Sequence, residues 1–139
     1  MLSKATVIGS GAMGTICAQI LAGNGVNVAL LGRREEFVAE LVTRRENRTY
    51  LPGIKLHERI RPTVDAHLAL RNTEFVLSAV PCQHMRGVWR EIAPLMPAEI
   101  PICSVTKGIE TGTLALPSQI LHALAPKNPA AVLSGPSIA

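Results

Sequence analysis

A chain of 139 residues, 47% of them hydrophobic, has the size of one domain and can bury a core of its own. Aromatics make up only 3%, the formal charge is a modest +4 and the arginines are scattered; with no basic and aromatic surface to stack on and neutralise a strand, nucleic acid is excluded as an expected partner. Three widely spaced cysteines, Cys17, Cys82 and Cys103, no signal peptide and no apolar stretch of spanning length predict a cytoplasmic protein with reduced thiols and no membrane span.

The apolar run Ala5 to Ile8 predicts a first strand, which opens directly into GSGAMG at 9–14. Ile16, Ile20 and Leu21 recur with helical spacing and predict a helix that Gly23-Asn24-Gly25 ends. Val26 to Leu31 read as a second strand, almost wholly apolar, as suits a sheet covered on both faces. A helix over Glu35 to Arg45 follows, with Phe37, Val38, Leu41 and Val42 as its stripe and RREN as its solvated end. Residues 46 to 62 read as irregular, with a turn at Pro52-Gly53 and a brief extended piece around Ile54 and Leu56.

Thr63 is expected to start a short helix carrying Leu68 and Leu70, and FVLSAV at 75–80 to form a strand ended by Pro81. Met85, Val88, Trp89 and Ile92 mark a helix despite the cost of Gly87. PICSV at 101–105 is the next strand, residues 114–124 are a helix with Leu116, Ile120, Leu121 and Leu124 along one side, and Ala131 to Leu133 are a last buried strand. Strands alternating with helical stripes predict the α/β class, a Rossmann-type parallel sheet with helices on both faces, as a single domain over residues 1–139.

Gly9, Gly11 and Gly14 form GxGxxG after a strand and before a helix, the context that makes the motif informative. The first glycine permits a tight turn, the second lets a pyrophosphate approach backbone N–H groups, and the third lets helix and sheet pack closely, with the helix N-terminus supplying donors and a positive dipole end. An NAD-selective site places an acid at the end of the second strand, about 20 residues beyond the glycines. This chain has Gly32, Arg33 and Arg34 there, and its first acid only at Glu35. Two guanidiniums favour a 2′-phosphate and offer a face for adenine, so the cofactor expected is NADP or NAD, with NADPH favoured.

Groups near the nicotinamide belong just beyond the C-terminal ends of the strands, where VPCQH, VTKGIETG and SGPSIA stand. Lys107 is the sharpest candidate, a point charge able to bind substrate oxygen or phosphate. Cys82 and His84, at i and i+2, do not face each other on a helix, and no orienting acid is evident for a nucleophile-base pair. His57, His67, His84 and His122 have no metal-ligand spacing, and Asp65 and Glu110 have no carboxylate partner set by spacing.

VIGSGAMGT at 7–15, RRENRTYLPGIKL at 44–56, AVP at 79–81, VTKGIETGTL at 105–114 and LSGPSIA at 133–139 together resemble the N-terminal domain of bacterial NAD(P)-dependent glycerol-3-phosphate dehydrogenase. The resemblance covers essentially the whole chain, and TKGIE followed at this distance by SGPS is its most specific part. It implies that Ala12 and Met13, with the glycines, lie along the cofactor, that Arg33, Arg34 and Tyr50 meet its adenosine side, and that Lys107 touches both cofactor and glycerol 3-phosphate. It further implies substrate-side roles for Gly135 and Ser137 and a cofactor contact at Ala139. Ser10, Met13 and Cys82 depart from the residues more usual in the family without removing a glycine or Lys107.

The activity implied is the interconversion of dihydroxyacetone phosphate and sn-glycerol 3-phosphate, feeding phospholipid synthesis. The proton donor in the family is a lysine at the start of a second, helical domain, beyond SGPS. The expectation is therefore the cofactor-binding part of a dehydrogenase, with no catalytic residue of its own, inactive alone and prone to form a homo-oligomer through an apolar face. A non-catalytic NADP-binding module is the alternative. Ketopantoate reductase, which shares the opening turn and a strand-end lysine, is disfavoured by TKGIETG and SGPS.

Overall fold

The computed structural model describes residues 1–135. Six strands form one parallel sheet in the order β5-β2-β1-β6-β7-β8, where β1 is Lys4–Ile8, β2 Asn27–Leu31, β5 Ile60–Thr63, β6 Phe75–Ser78, β7 Ile102–Ser104 and β8 Ala130–Val132. A small antiparallel pair, β3 (Glu46–Asn47) and β4 (Leu51–Lys55), stands apart from it. Helices α1 (Ala12–Gly23) and α2 (Glu35–Arg44) cover one face with a core of Val7, Val28, Leu30, Leu41 and Ile60. On the other face α3 (Ala66–Leu70), α4 (Cys82–Ile92) and α5 (Pro117–Leu124) pack around Trp89, Met85, Ile102, Ile120 and Leu121. This is the Rossmann-type arrangement expected: from β1 the chain builds outward to β2 and β5, then crosses back to β6 and builds outward the other way. The reversal leaves a crevice above the C-terminal ends of β1 and β6.

Within that frame several local expectations change. The buried positions of α1 are Gly14, Thr15, Ala18 and Ala22, whereas Ile16 and Ile20 are 37% and 61% exposed. The glycine turn sets the phase: Gly14 has to face it, because a Cβ there would lie 1.8 Å from the Gly9 carbonyl oxygen, and Ala18 and Ala22 then follow at four-residue steps on the same side. On α2, Val38 and Leu41 are buried but Val42 is not.

RREN is not a solvated end. Arg45 takes a left-handed conformation (φ 54°) and its guanidinium donates to the carbonyl oxygens of Ile60 (3.0 Å) and His57 (2.8 Å), while Asn47 is 1% exposed.

The segment read as irregular contains both the β3–β4 pair and a strand of the main sheet. Ile60 sits opposite Val28 and Pro62 opposite Leu30, and of the four residues of β5 only Ile60 is fully buried. A half-exposed edge strand containing proline carries no apolar run to betray it, yet the edge is where proline's missing N–H is tolerated. Thr63 therefore closes a strand instead of starting a helix; α3 begins at Ala66, capped by Asp65, whose carboxylate accepts from the Leu68 N–H at 3.0 Å.

The remaining differences are of extent. β6 stops at Ser78, so Ala79 and Val80 leave the ladder over the crevice. Its buried Ser78 accepts from the Trp89 indole N–H at 3.0 Å, which satisfies the one polar atom of the core's largest side chain. α5 begins at Pro117, a good first helical residue, and not at 114. β8 is a strand, but an exposed one along its whole length, against the buried strand expected.

Candidate functional site

Glycine sets the geometry at the N-terminal side of the crevice. Gly9 has φ +107°, and a Cβ on it would meet the Ala79 carbonyl oxygen at 2.7 Å; the Gly9 N–H donates to Leu31 O at 2.9 Å, and Ala79 N–H to Ile8 O at 2.8 Å. The turn is thereby locked between β2 and β6. Gly11 differs: its backbone is extended (φ −72°, ψ −171°) and a Cβ on it would meet nothing within 4 Å. The first and third glycines are thus required by the fold, while the second opens onto space. The first turn of α1 has neither a side-chain cap nor an acid, so its backbone donors are left open to the space in front of them, with no carboxylate of that turn competing for them.

That region is a cavity of about 750 Å³ running from Gly9, Gly11, Ala12 and Met13 past Arg33 and Arg34 to Tyr50 on one side and Ala79 to Pro81 on the other. Gly14 lies beneath it, buried. At its β2 end, Arg34 Nη2 lies 3.4 Å from the Tyr50 hydroxyl and its guanidinium 5.2 Å from the centre of the Phe37 ring, and the Phe37 and Tyr50 rings meet edge to face at 5.5 Å. Phe37 is partly buried in this cluster, beyond the role of core stripe expected of it.

Asn47 is what brings Tyr50 here. Its amide donates to Ser10 O (3.0 Å) and Thr15 Oγ1 (2.8 Å), and its side-chain oxygen accepts from the Tyr50 N–H (3.0 Å). A single buried side chain thus ties the β3–β4 turn to the glycine turn, and Gly32, where a Cβ would crowd Ser10 Oγ at 2.7 Å, keeps the β2 end equally close. Nothing in the spacing of ENRTY announces this. The only signal is an asparagine just past a helix end, a position more often solvated.

On the far side, Lys107 is exposed on the loop after β7 and does not line the cavity. Glu110 on the same loop is buried and paired with Arg86 of α4, Arg86 Nη2 to Glu110 Oε2 being 2.8 Å. Hydrogen bonds from Arg86 and then Thr113 hold the Glu110 carboxyl below its ordinary range, against the opposing effect of burial. Sequence spacing missed this pair, 24 residues apart. Burial, and then the nearby Glu110, raise the Cys82 thiol, the opposite of an activated nucleophile, and His84 is exposed. Gly135 is the last described residue and is exposed; Ser137 and Ala139 lie outside the described residues. Among the described residues no helix is long and apolar enough to cross a membrane, and no group of three His, Cys, Asp or Glu could hold a metal ion.

A model of the family described as NAD-dependent glycerol-3-phosphate dehydrogenase N-terminus matches residues 4–139. The chain is 43% identical over 136 residues to the glycerol-3-phosphate dehydrogenase [NAD(P)+] of Parvibaculum lavamentivorans, covering 98% of this chain and 40% of that protein. It superposes on the crystal structure of glycerol-3-phosphate dehydrogenase from Coxiella burnetii with a TM-score of 0.90 at 28% identity, over 99% of this chain and 42% of that one. A ketopantoate reductase from Ralstonia eutropha is similar in fold alone, with a TM-score of 0.73 at 19% identity over 93% of this chain and 40% of that one. The chain spans about two-fifths of the length of the curated relatives it matches.

Proposed function

The chain belongs to the family of NAD-dependent glycerol-3-phosphate dehydrogenase N-termini, and from that premise we propose that it supplies the cofactor-binding half of an NADPH-preferring reduction of dihydroxyacetone phosphate to sn-glycerol 3-phosphate. The observation that carries the reading is the open approach at Gly11: the cavity meets backbone with no Cβ in the way, beside uncapped donors of α1 and with Arg33 and Arg34 across from them. The pyrophosphate lies along Gly9, Gly11, Ala12 and Met13, and Gly14 holds the helix that faces it. Arg33 takes the 2′-phosphate as a charge-assisted pair. Arg34, steadied by Tyr50 and Phe37, presents its guanidinium plane to adenine.

The cofactor, when bound, supplies the hydride. At the other end Lys107 is assigned to the substrate oxygens next to the nicotinamide, with Gly135 and Ser137 on the substrate side and Ala139 against the cofactor, as the family resemblance implies. None of these is assigned the proton transfer. The chain by itself is therefore expected to bind NADPH and leave it unoxidised when dihydroxyacetone phosphate is added, since alignment of the reactants and exclusion of water need more than one wall of a site.

Calorimetric titration of the 139-residue chain with NADPH and NADH, in the wild type and in Arg33→Asp, tests the preference. A drop of about ten- to a hundredfold in NADPH affinity with NADH spared or improved is the expected outcome. An unchanged ratio between the two nucleotides would remove Arg33 from the argument, and NADPH oxidation by this chain at an ordinary enzymic rate would remove the half-site reading.

A further inference from the structure

Lys107 sits in a stretch without regular structure, residues 105–116, and side chains of α4 hold that stretch in place. The Gln83 amide donates to Ile109 O (2.9 Å), and its oxygen accepts from the Thr111 N–H (2.9 Å). One turn further on, Arg86 Nε donates to both Glu110 carboxylate oxygens (2.9 and 3.0 Å) and Nη2 to Oε2 (2.8 Å). The Thr113 hydroxyl closes onto the same carboxylate. On the other side of the lysine, the Thr106 hydroxyl donates to Val80 O at 2.7 Å, so Lys107 and Gly108 are suspended between two anchor points. Gly108 adopts φ +110° against the Cys82 side chain, a turn that glycine takes without strain.

A partly buried, bidentate ion pair is a poor way to gain stability, because desolvation offsets most of the attraction; its distinctive product is a fixed relative orientation of two segments. Here the segments are the loop bearing Lys107 and the helix that begins where the crevice wall of Ala79 to Pro81 ends. We infer that Gln83 and the Arg86–Glu110 pair are positioning residues for Lys107, fixing where its ammonium stands at the nicotinamide end of the crevice. The inference rests on the reading above that Lys107 meets the cofactor and substrate.

The experiment measures two ligands on the 139-residue chain. NADPH spans the crevice to the lysine loop, whereas 2′,5′-ADP reaches only the glycine turn and the arginines. Glu110→Gln and Gln83→Ala are each expected to weaken NADPH by about tenfold while leaving 2′,5′-ADP within about twofold. Lys107→Ala should give a similar loss, and Lys107→Ala combined with Glu110→Gln should lose no more than Lys107→Ala alone, because the pair acts through the lysine. A merely structural role would lower both ligands together and add to the lysine's loss.

The inference is overturned if both variants keep wild-type NADPH affinity, if the two ligands fall in parallel, or if the losses add. A wild type that binds 2′,5′-ADP and NADPH separates those results from failure of the cofactor reading, which would show as binding of neither.

Discussion

The glycine turn and the loop that bears Lys107 are held by opposite means. At the glycine turn, geometry is enforced by the absence of atoms: Gly9 and Gly14 leave no room for a methyl group, the added Cβ meeting carbonyl oxygens at 2.7 and 1.8 Å. At the lysine loop it is enforced by their presence, in the side chains of Gln83, Arg86, Glu110 and Thr106. A cradle built from backbone contacts cannot loosen without the fold yielding as well. A loop tied by side chains can be released one bond at a time.

The sharpest way to break the first end is Gly14→Ala. Its methyl group would overlap the Gly9 carbonyl at 1.8 Å, so either α1 or the turn has to move. A loss above about 3 kcal/mol in urea unfolding is expected, together with loss of all nucleotide binding. A variant that unfolds like the wild type would mean that α1 can shift at little cost, and the contrast between the two ends would collapse.

Asn47→Ala tests a place where the glycine end does use a side chain from a distant segment. It removes the partner of Ser10 O and of the Tyr50 N–H, both bonded at 3.0 Å, and the donor to Thr15 Oγ1, whose hydroxyl keeps its bond to Gly11 O. A cost of about 1–3 kcal/mol follows from leaving buried groups unpaired, and Tyr50 should lose its place beside Arg34. Tyrosine fluorescence during nucleotide titration reads that second effect, since Tyr50 is the sole tyrosine. Gly11→Ala is the complement. With an extended backbone and nothing within 4 Å of its Cβ, it should unfold within about 0.5 kcal/mol of the wild type, yet bind NADPH about tenfold less tightly if the pyrophosphate rests there. Equal NADPH affinity would move the phosphates away from Gly11.

The contrast also explains what could be read from residue order. A constraint imposed by missing atoms is written locally, so GxGxxG after an apolar run gave the turn, the crevice and the start of α1. It did not give the phase of α1, because Ile16 and Ile20 are apolar and yet exposed, the close approach at Gly14 having overridden hydrophobicity. Constraints imposed by side chains across long separations leave no periodic trace. Asn47 reaches Ser10 over 37 residues, and Arg86 reaches Glu110 over 24. The strand Ile60–Thr63 was hidden for a third reason, since an edge position needs only one fully buried residue. TKGIE was recognisable as a family stretch, but why its glutamate stands there is visible only with Arg86 beside it.

The smallest effect separates the two ends by pH. Glu110 is kept below its ordinary range first by the Arg86 hydrogen bonds and then by Thr113. A depressed folded value means that the carboxylate's contribution to stability is complete above the unfolded value, near 4.5, and is lost as pH falls through the lower folded one. Among the described residues the glycine turn is hydrogen-bonded by backbone, Thr15 and Asn47 and by no titrating group, so acid should release the lysine loop first. Glu46 and Glu74 are lowered as well, and the comparison that isolates the loop is therefore wild type against Glu110→Gln. Their melting temperatures should differ by a constant amount, on the order of a few degrees, from neutral pH down to about pH 5, and converge below the ordinary carboxylate range. Amide exchange should show residues 109–115 losing protection over the same interval while residues 9–15 keep theirs. A difference that stays constant through the acid range would mean that the Glu110 charge contributes nothing to holding the loop, leaving that task to ties such as Gln83 and Thr106.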